Sequence, residues 1–116
     1  WVESELGARF ATVSTLTHMR QSDAALAAIE KHILALDTFT FAAVHNLTTL
    51  TGSALLAIML AADGVSAENA WAAANVDEDW QIETWGRDDE AMARRAGRHA
   101  EFSSCVKFAR LAANRV

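Results

Sequence analysis

The sequence predicts an all-α fold: a multihelical single domain with a central apolar helix and a long C-terminal helix. Proline is absent from the 116 residues, where an average chain of this length would carry about six. Alanine occurs 25 times, and alanine loses the least free energy on entering a helix while proline loses the most. Capping residues also recur between stretches whose apolar positions repeat at helical spacing. Apolar residues make up 52% and charged residues 22% of the chain, close to ordinary globular usage, which excludes a disordered or collagen-like polymer. A chain of this length buries enough surface to fold without staples. Its single cysteine, Cys105, excludes an internal disulfide or a multi-cysteine metal site.

The elements follow in order. Residues Trp1 to Phe10 can form a short helix weakened by Gly7, and the run from Ala11 to Arg20 has no helical stripe and reads as a loop or extended connector. Ser22 is a good N-cap for a helix whose apolar face is Leu26, Ile29, Ile33 and Leu36. Asp37 is expected to cap the next, with Phe41, Val44 and Leu47 on its buried side. Gly52 interrupts or kinks that stretch before Ala54 to Ala62, an apolar run with no face left for water, which belongs in the middle of the fold. Gly64 occupies the place of a left-handed helix end, and Ser66 caps a short helix carrying Trp71. Asp77 is expected to cap the segment DEDWQIETW, which Gly86 ends. Asp88 starts the last and longest helix, with Phe102, Cys105, Val106, Ala109 and Ala113 as its apolar stripe.

Several functions are excluded or disfavoured. The nine-residue run Ala54 to Ala62 is the longest apolar run, about half of a bilayer span, so no membrane insertion is expected. A net charge of −5 argues against nucleic acid or an anionic membrane surface as the main partner. His18, His32, His45 and His99 are scattered, and the five glycines are isolated, so neither a metal site nor a phosphate loop is expected. No cofactor and no catalytic residue is named. His45, beside Val44, reads as a structurally satisfied histidine or as a ligand or base. Cys105 reads as a small buried hydrophobe or as a nucleophile. The hydroxyl-rich segment Thr38, Thr40, Thr48, Thr49, Thr51 and Ser53 either bonds back to the preceding turn or faces a partner.

Charge is uneven. Residues 77–91 hold seven acids and one base, whereas residues 92–116 hold one acid and six bases. Acids at helix starts and bases at helix ends complement the helix dipole, but this does not explain Trp80 and Trp85 inside the acidic stretch. Asp79 and Glu83 are i and i+4, as are Gln81 and Trp85. The tryptophans and Ile82 either anchor core beneath solvated acids, or form a protein-binding patch fringed by carboxylates. Composition and spacing leave both open, and they do not exclude each other.

The string DEDWQIETWG resembles the Q-x-E-x-W-G signature of the ATP synthase assembly chaperones that hold the alpha subunit of the catalytic head. LDTFTFAAVHNLTTLTGSALLAIMLA is similar to that family's helical segment with its L-T/S-G-S step, and GVSAENAW to the short helix after it; the resemblance covers at least residues 37–113. It implies a non-catalytic protein that binds the unassembled alpha subunit and shields it until the beta subunit replaces it. It also implies a helical domain, residues 1–116, from a longer protein whose β-rich N-terminal domain is absent here, as the start at Trp1 suggests. Glu83 is the residue carried over as functionally required, with Gln81, Trp85 and Gly86 supporting it. Asp79, Trp80, Asp88 and Glu90 complete the expected partner-binding set. Organellar relatives carry an acidic run with histidine after the WG, whereas this chain has Arg87, Asp88, Asp89 and Glu90, a departure in that part of the pattern. A bacterial member would work in the cytoplasm and an organellar one in the mitochondrial matrix. The free domain is expected to be monomeric. Two rival readings are a small helical ligand-binding or enzymatic domain with a site near His45 and the hydroxyl-rich segment, and a scaffold that only self-associates.

Overall fold

The computed structural model describes residues 1–12 and 20–113. Within them lie seven α-helices and no strand: α1 (Val2–Leu6), α2 (Asp23–Leu34), α3 (Thr38–Thr51), α4 (Ala54–Ala61), α5 (Ala67–Ala74), α6 (Val76–Trp85) and α7 (Asp89–Ala113). The all-α expectation holds. Most of the connector expected from Ala11 to Arg20, including His18, lies outside the described residues. The chain forms two compact units, Trp1–Asp37 and Thr38–Val116.

In the first unit, α1 ends at Gly7, whose φ of 67° is the left-handed conformation that glycine adopts without a Cβ clash. Arg9 pairs with Glu3 at 2.9 Å. Gln21 ties down the chain after α1, its amide bonding both the Ala11 N–H and the Ala11 carbonyl. Ser22 caps α2 as expected, accepting from the Ala25 N–H. The stripe is less regular than its spacing implies, because Leu26 is half exposed while Ala25 is buried.

The second unit is built on α3, which packs against α4 and α7, while α4 also contacts α5 and α7. Its fully buried large side chains are Leu47, Ile58, Leu60 and Phe102. The apolar α4 is central, as its lack of a polar face requires. Helix α3 buries Thr40, Ala43, Val44, Leu47 and Thr51. Phe41 is not on that face: it is 49% exposed, because at 100° per residue it stands about a quarter-turn from the line through Thr40, Val44, Leu47 and Thr51. The threonines bond back along the helix, Thr48 to the Val44 carbonyl, Thr49 to His45 and Thr51 to Leu47.

Gly52, with φ 73°, breaks the chain between α3 and α4, and Ser53 caps α4 by accepting from the Leu56 N–H. The end of α4 differs from expectation. The left-handed residue is Asp63 (φ 57°), not Gly64. The Gly64 N–H bonds the Met59 carbonyl and the Asp63 N–H that of Leu60, the paired bonds of a Schellman motif. Asp63 tolerates this backbone because its side chain is short and polar, and its carboxylate pairs with Arg110 at 3.2 Å.

Ser66 caps α5, accepting from Asn69 N–H. Trp71 of α5 meets the rings of Phe102 and His99, both at 5.0 Å between centroids. Asn75, not Asp77, marks the boundary with α6: its amide donates to the Trp71 carbonyl, and its own carbonyl accepts the first α6 bond from Asp79 N–H. Asp77 sits in the first turn, where an acid complements the dipole. Asp88 caps α7, its Oδ1 accepting from the Glu90 and Ala91 N–H groups. The expected α7 stripe holds at Phe102, Val106 and Ala109, but Ala113, the last residue of the helix, is exposed.

Candidate functional site

Helix α6 places the expected residues on the surface. Trp85 is 80% and Trp80 59% exposed; Asp79, Gln81, Glu83, Gly86, Asp88 and Glu90 are exposed as well. Helical geometry, at 100° per residue, sets the two indoles about 140° apart around the axis. They therefore do not make one flat ledge. Val76, Asp79, Trp80 and Glu83 share one stripe at i, i+3, i+4 and i+7, and Glu78, Gln81, Ile82 and Trp85 share another on the opposite side.

The acids divide into paired and open groups. Arg95 of α7 pairs with both Asp79 and Glu78, and Arg98 pairs with Glu78 at 3.2 Å. The hydrogen bond from Arg95 to Asp79 is the main reason the guanidinium holds its proton above the usual arginine range, against the opposing effect of burial. These bridges tie α6 to α7. Glu83 makes no hydrogen bond or ion pair with any described residue. It stands free in the last turn of α6, a turn that contains no basic residue.

Gly86 has φ 93° and ψ 173°, a backbone region essentially confined to glycine. An added Cβ would meet nothing within 4 Å there, so the requirement lies in the backbone itself. The glycine of the motif swings the chain from α6 into α7 and leaves Trp85 at the corner. Inside that corner lies a notch of about 220 Å³ lined by Glu78, Gln81, Ile82, Trp85, Gly86, Asp88, Ala91 and Met92. Gln81, Trp85, Gly86 and Asp88 are thus brought together, while Asp79, Trp80, Glu83 and Glu90 are not part of the notch.

Glu78, Ala91 and Met92 are lining residues that the sequence reading did not single out, and Ile82 is one it left between core and patch. Their signal was available: Glu78, Gln81, Ile82 and Trp85 repeat at i, i+3, i+4 and i+7, as do Asp88, Ala91, Met92 and Arg95.

His45 is exposed on α3. The nearby cavity of about 480 Å³ is lined by Asn46, Thr49, Leu50, Ala100, Glu101, Ser104 and Cys105, so of the rival ligand-site reading it keeps Thr49 of the hydroxyl-rich segment and loses His45, its candidate base. Cys105 is half-buried, and burial followed by the Glu101 charge pushes its thiol up, the wrong direction for a nucleophile. Among the described residues no group of His, Cys, Asp and Glu is placed to hold a metal, and no helix is long and apolar enough to cross a membrane.

No family model and no curated protein matches the chain. Solved structures do. The crystal structure of Atp12 from Paracoccus denitrificans superposes with a TM-score of 0.90 at 32% identity over 97% of this chain. Atu1473 of Agrobacterium tumefaciens, to which a chaperone role is ascribed, gives 0.86 at 41% identity over 95%. The chain belongs to the Atp12-type chaperone family. It spans 48% of the Paracoccus Atp12 and 41% of the Agrobacterium protein, so it corresponds to about half of an Atp12-type relative.

Proposed function

We propose that this chain works without catalysis, as the part of an ATP synthase assembly chaperone that grips the unassembled alpha subunit of the catalytic head until the beta subunit replaces it. Membership of the Atp12-type family supports the chaperone role. The resemblance of the QIETWG segment to the alpha-binding family supports the choice of client. The observation that carries the reading is the outer face of α6: Val76 and Trp80 stand 60% and 59% exposed beside Glu83, a carboxylate with no partner among the described residues. Apolar surface yields about 25 cal/mol per Å² when buried, so a few hundred Å² outweigh a single rim ion pair at ~0–1 kcal/mol. Glu83 accordingly orients and selects a basic client surface, and Val76 and the Trp80 indole supply most of the affinity. The relatives come from two bacteria, which supports a bacterial member working in the cytoplasm.

The test is capture of isolated alpha subunit by the immobilised chain, with Trp80→Ala and Glu83→Lys as variants. The expected result is capture by the parent and at least tenfold weaker capture by each variant, with unchanged circular dichroism. Equal capture by all three would overturn the reading.

A further inference from the structure

The notch at the α6–α7 corner lies on the side of α6 opposite Glu83, so the contact proposed above does not use it. Its lining is apolar at Ile82, Ala91 and Met92 and aromatic at Trp85, and its acidic groups are Glu78 and Asp88; no lining residue is basic. Glu78 Oε1 is buried without a hydrogen bond, Arg95 Nη1 lying 3.6 Å away. Asp88 spends only Oδ1 on the α7 cap. The C-terminal carbonyls of α6 add a negative pole at the same corner, unanswered by any base in that turn. Residues 77–98 hold seven acids and four bases, Arg95 and Arg98 included, so the corner stays net negative after its own ion pairs are counted.

An apolar lining, an indole and two carboxylates match one side chain in particular. Arginine lays its methylene stem on apolar surface, stacks its guanidinium on an indole, and presents a planar fork of donors to a carboxylate. The chain uses the same chemistry internally, where Arg95 lies largely buried between Asp79 and Glu78. We propose that the notch takes one arginine side chain of the client, its stem on Ile82 and Met92 and its guanidinium against Trp85 and Asp88. The proposed function enters only in saying who presents that arginine.

The test is a two-dimensional NMR titration of the isotope-labelled chain with Nα-acetyl-arginine amide, and with the citrulline and lysine amides as uncharged and unforked comparisons. The arginine amide is expected to shift the Trp85 indole N–H and the Gly86 and Ala91 amides saturably at millimolar concentration. The citrulline amide leaves these signals in place, and the lysine amide binds at least threefold more weakly. Asp88→Asn keeps the helix cap and removes the charge, and is expected to weaken the arginine response at least threefold. Equal responses to arginine and citrulline, equal responses to arginine and lysine, shifts centred on Trp80 and Glu83, or an unchanged response in Asp88→Asn would each overturn the inference. Capture of alpha subunit by a chain whose notch ignores arginine would defeat this inference and leave the proposed function standing. An arginine-binding notch in a chain that cannot capture alpha subunit would do the reverse.

Discussion

Glu83→Lys separates a functional carboxylate from a structural one, because the helix itself disfavours an acid at this position. Glu83 lies in the last turn of α6, at the negative end of the dipole, where an acid is unfavourable by about 0.3–1 kcal/mol and a base favourable by a similar amount. It also stands i+4 from Asp79, a like-charge pair that costs roughly 0.2–0.5 kcal/mol. Arg95 already engages Asp79, which puts that second effect at its low end. The exposure of Glu83 and salt screening reduce both. Lysine reverses each sign, so the net expectation is stabilisation of about 0.5–1 kcal/mol at low salt. For a chain of this size that raises Tm by about 2–5 °C, with the gain shrinking as salt is added. Client capture should move the other way, weakening about tenfold or more, which is at least 1.4 kcal/mol. Thermal melts by circular dichroism at two salt concentrations, run beside alpha-subunit capture, read both quantities. A drop in Tm of several degrees would show that Glu83 holds the fold together, and the reasoning from its free carboxylate would fail.

Other outcomes follow from the packing. Phe102→Ala removes a fully buried ring that meets Trp71 and is expected to cost about 3–5 kcal/mol by urea unfolding. Gly86→Ala forces a side chain into a glycine-only backbone region and should cost about 1–3 kcal/mol, with the loss visible as reduced Tm. Arg95→Ala leaves Asp79 and Glu78 without their shared partner; since both acids are partly solvated, a loss of about 1–2 kcal/mol is expected. Cys105 has its thiol raised by burial, so the unfolded chain ionises first. The stability it contributes is complete below the ordinary thiol range and falls as pH rises through the folded value. Cys105→Ala should therefore flatten the alkaline decline in urea midpoints between pH 8 and pH 10.

The parts of the fold legible in the sequence are those governed by local chemistry. Ser22 and Ser66 each accept a hydrogen bond from the residue three ahead, as an N-cap serine must. Helix α4 is central because an apolar run without a polar face has nowhere else to go. Misplacements occur where a neighbour competes for the same role. Asn75 serves as the end of α5 and the start of α6, displacing Asp77, because its amide reaches back to Trp71. Asp63 rather than Gly64 takes the left-handed position, since the bond from Gly64 to Met59 fixes the register of the turn. Phe41 gives way to Thr40 on the buried face, because the small polar residue, not the large apolar one, lies in line with Val44 and Leu47. At the candidate site, exposure of the two tryptophans could not be read from composition. Their placement on separate sides of α6 follows from a five-residue spacing, and the notch appears only when the Glu78 and Asp88 stripes are brought face to face.

The most direct measurement is site-specific photocrosslinking of the chain to isolated alpha subunit. Benzoylphenylalanine placed at Thr84, exposed between Trp80 and Trp85, should crosslink efficiently. The same group at Leu111, exposed about 30 Å further along α7 from the corner, should not. A crosslink from Leu111 with none from Thr84 would contradict the claim that α6 grips the client.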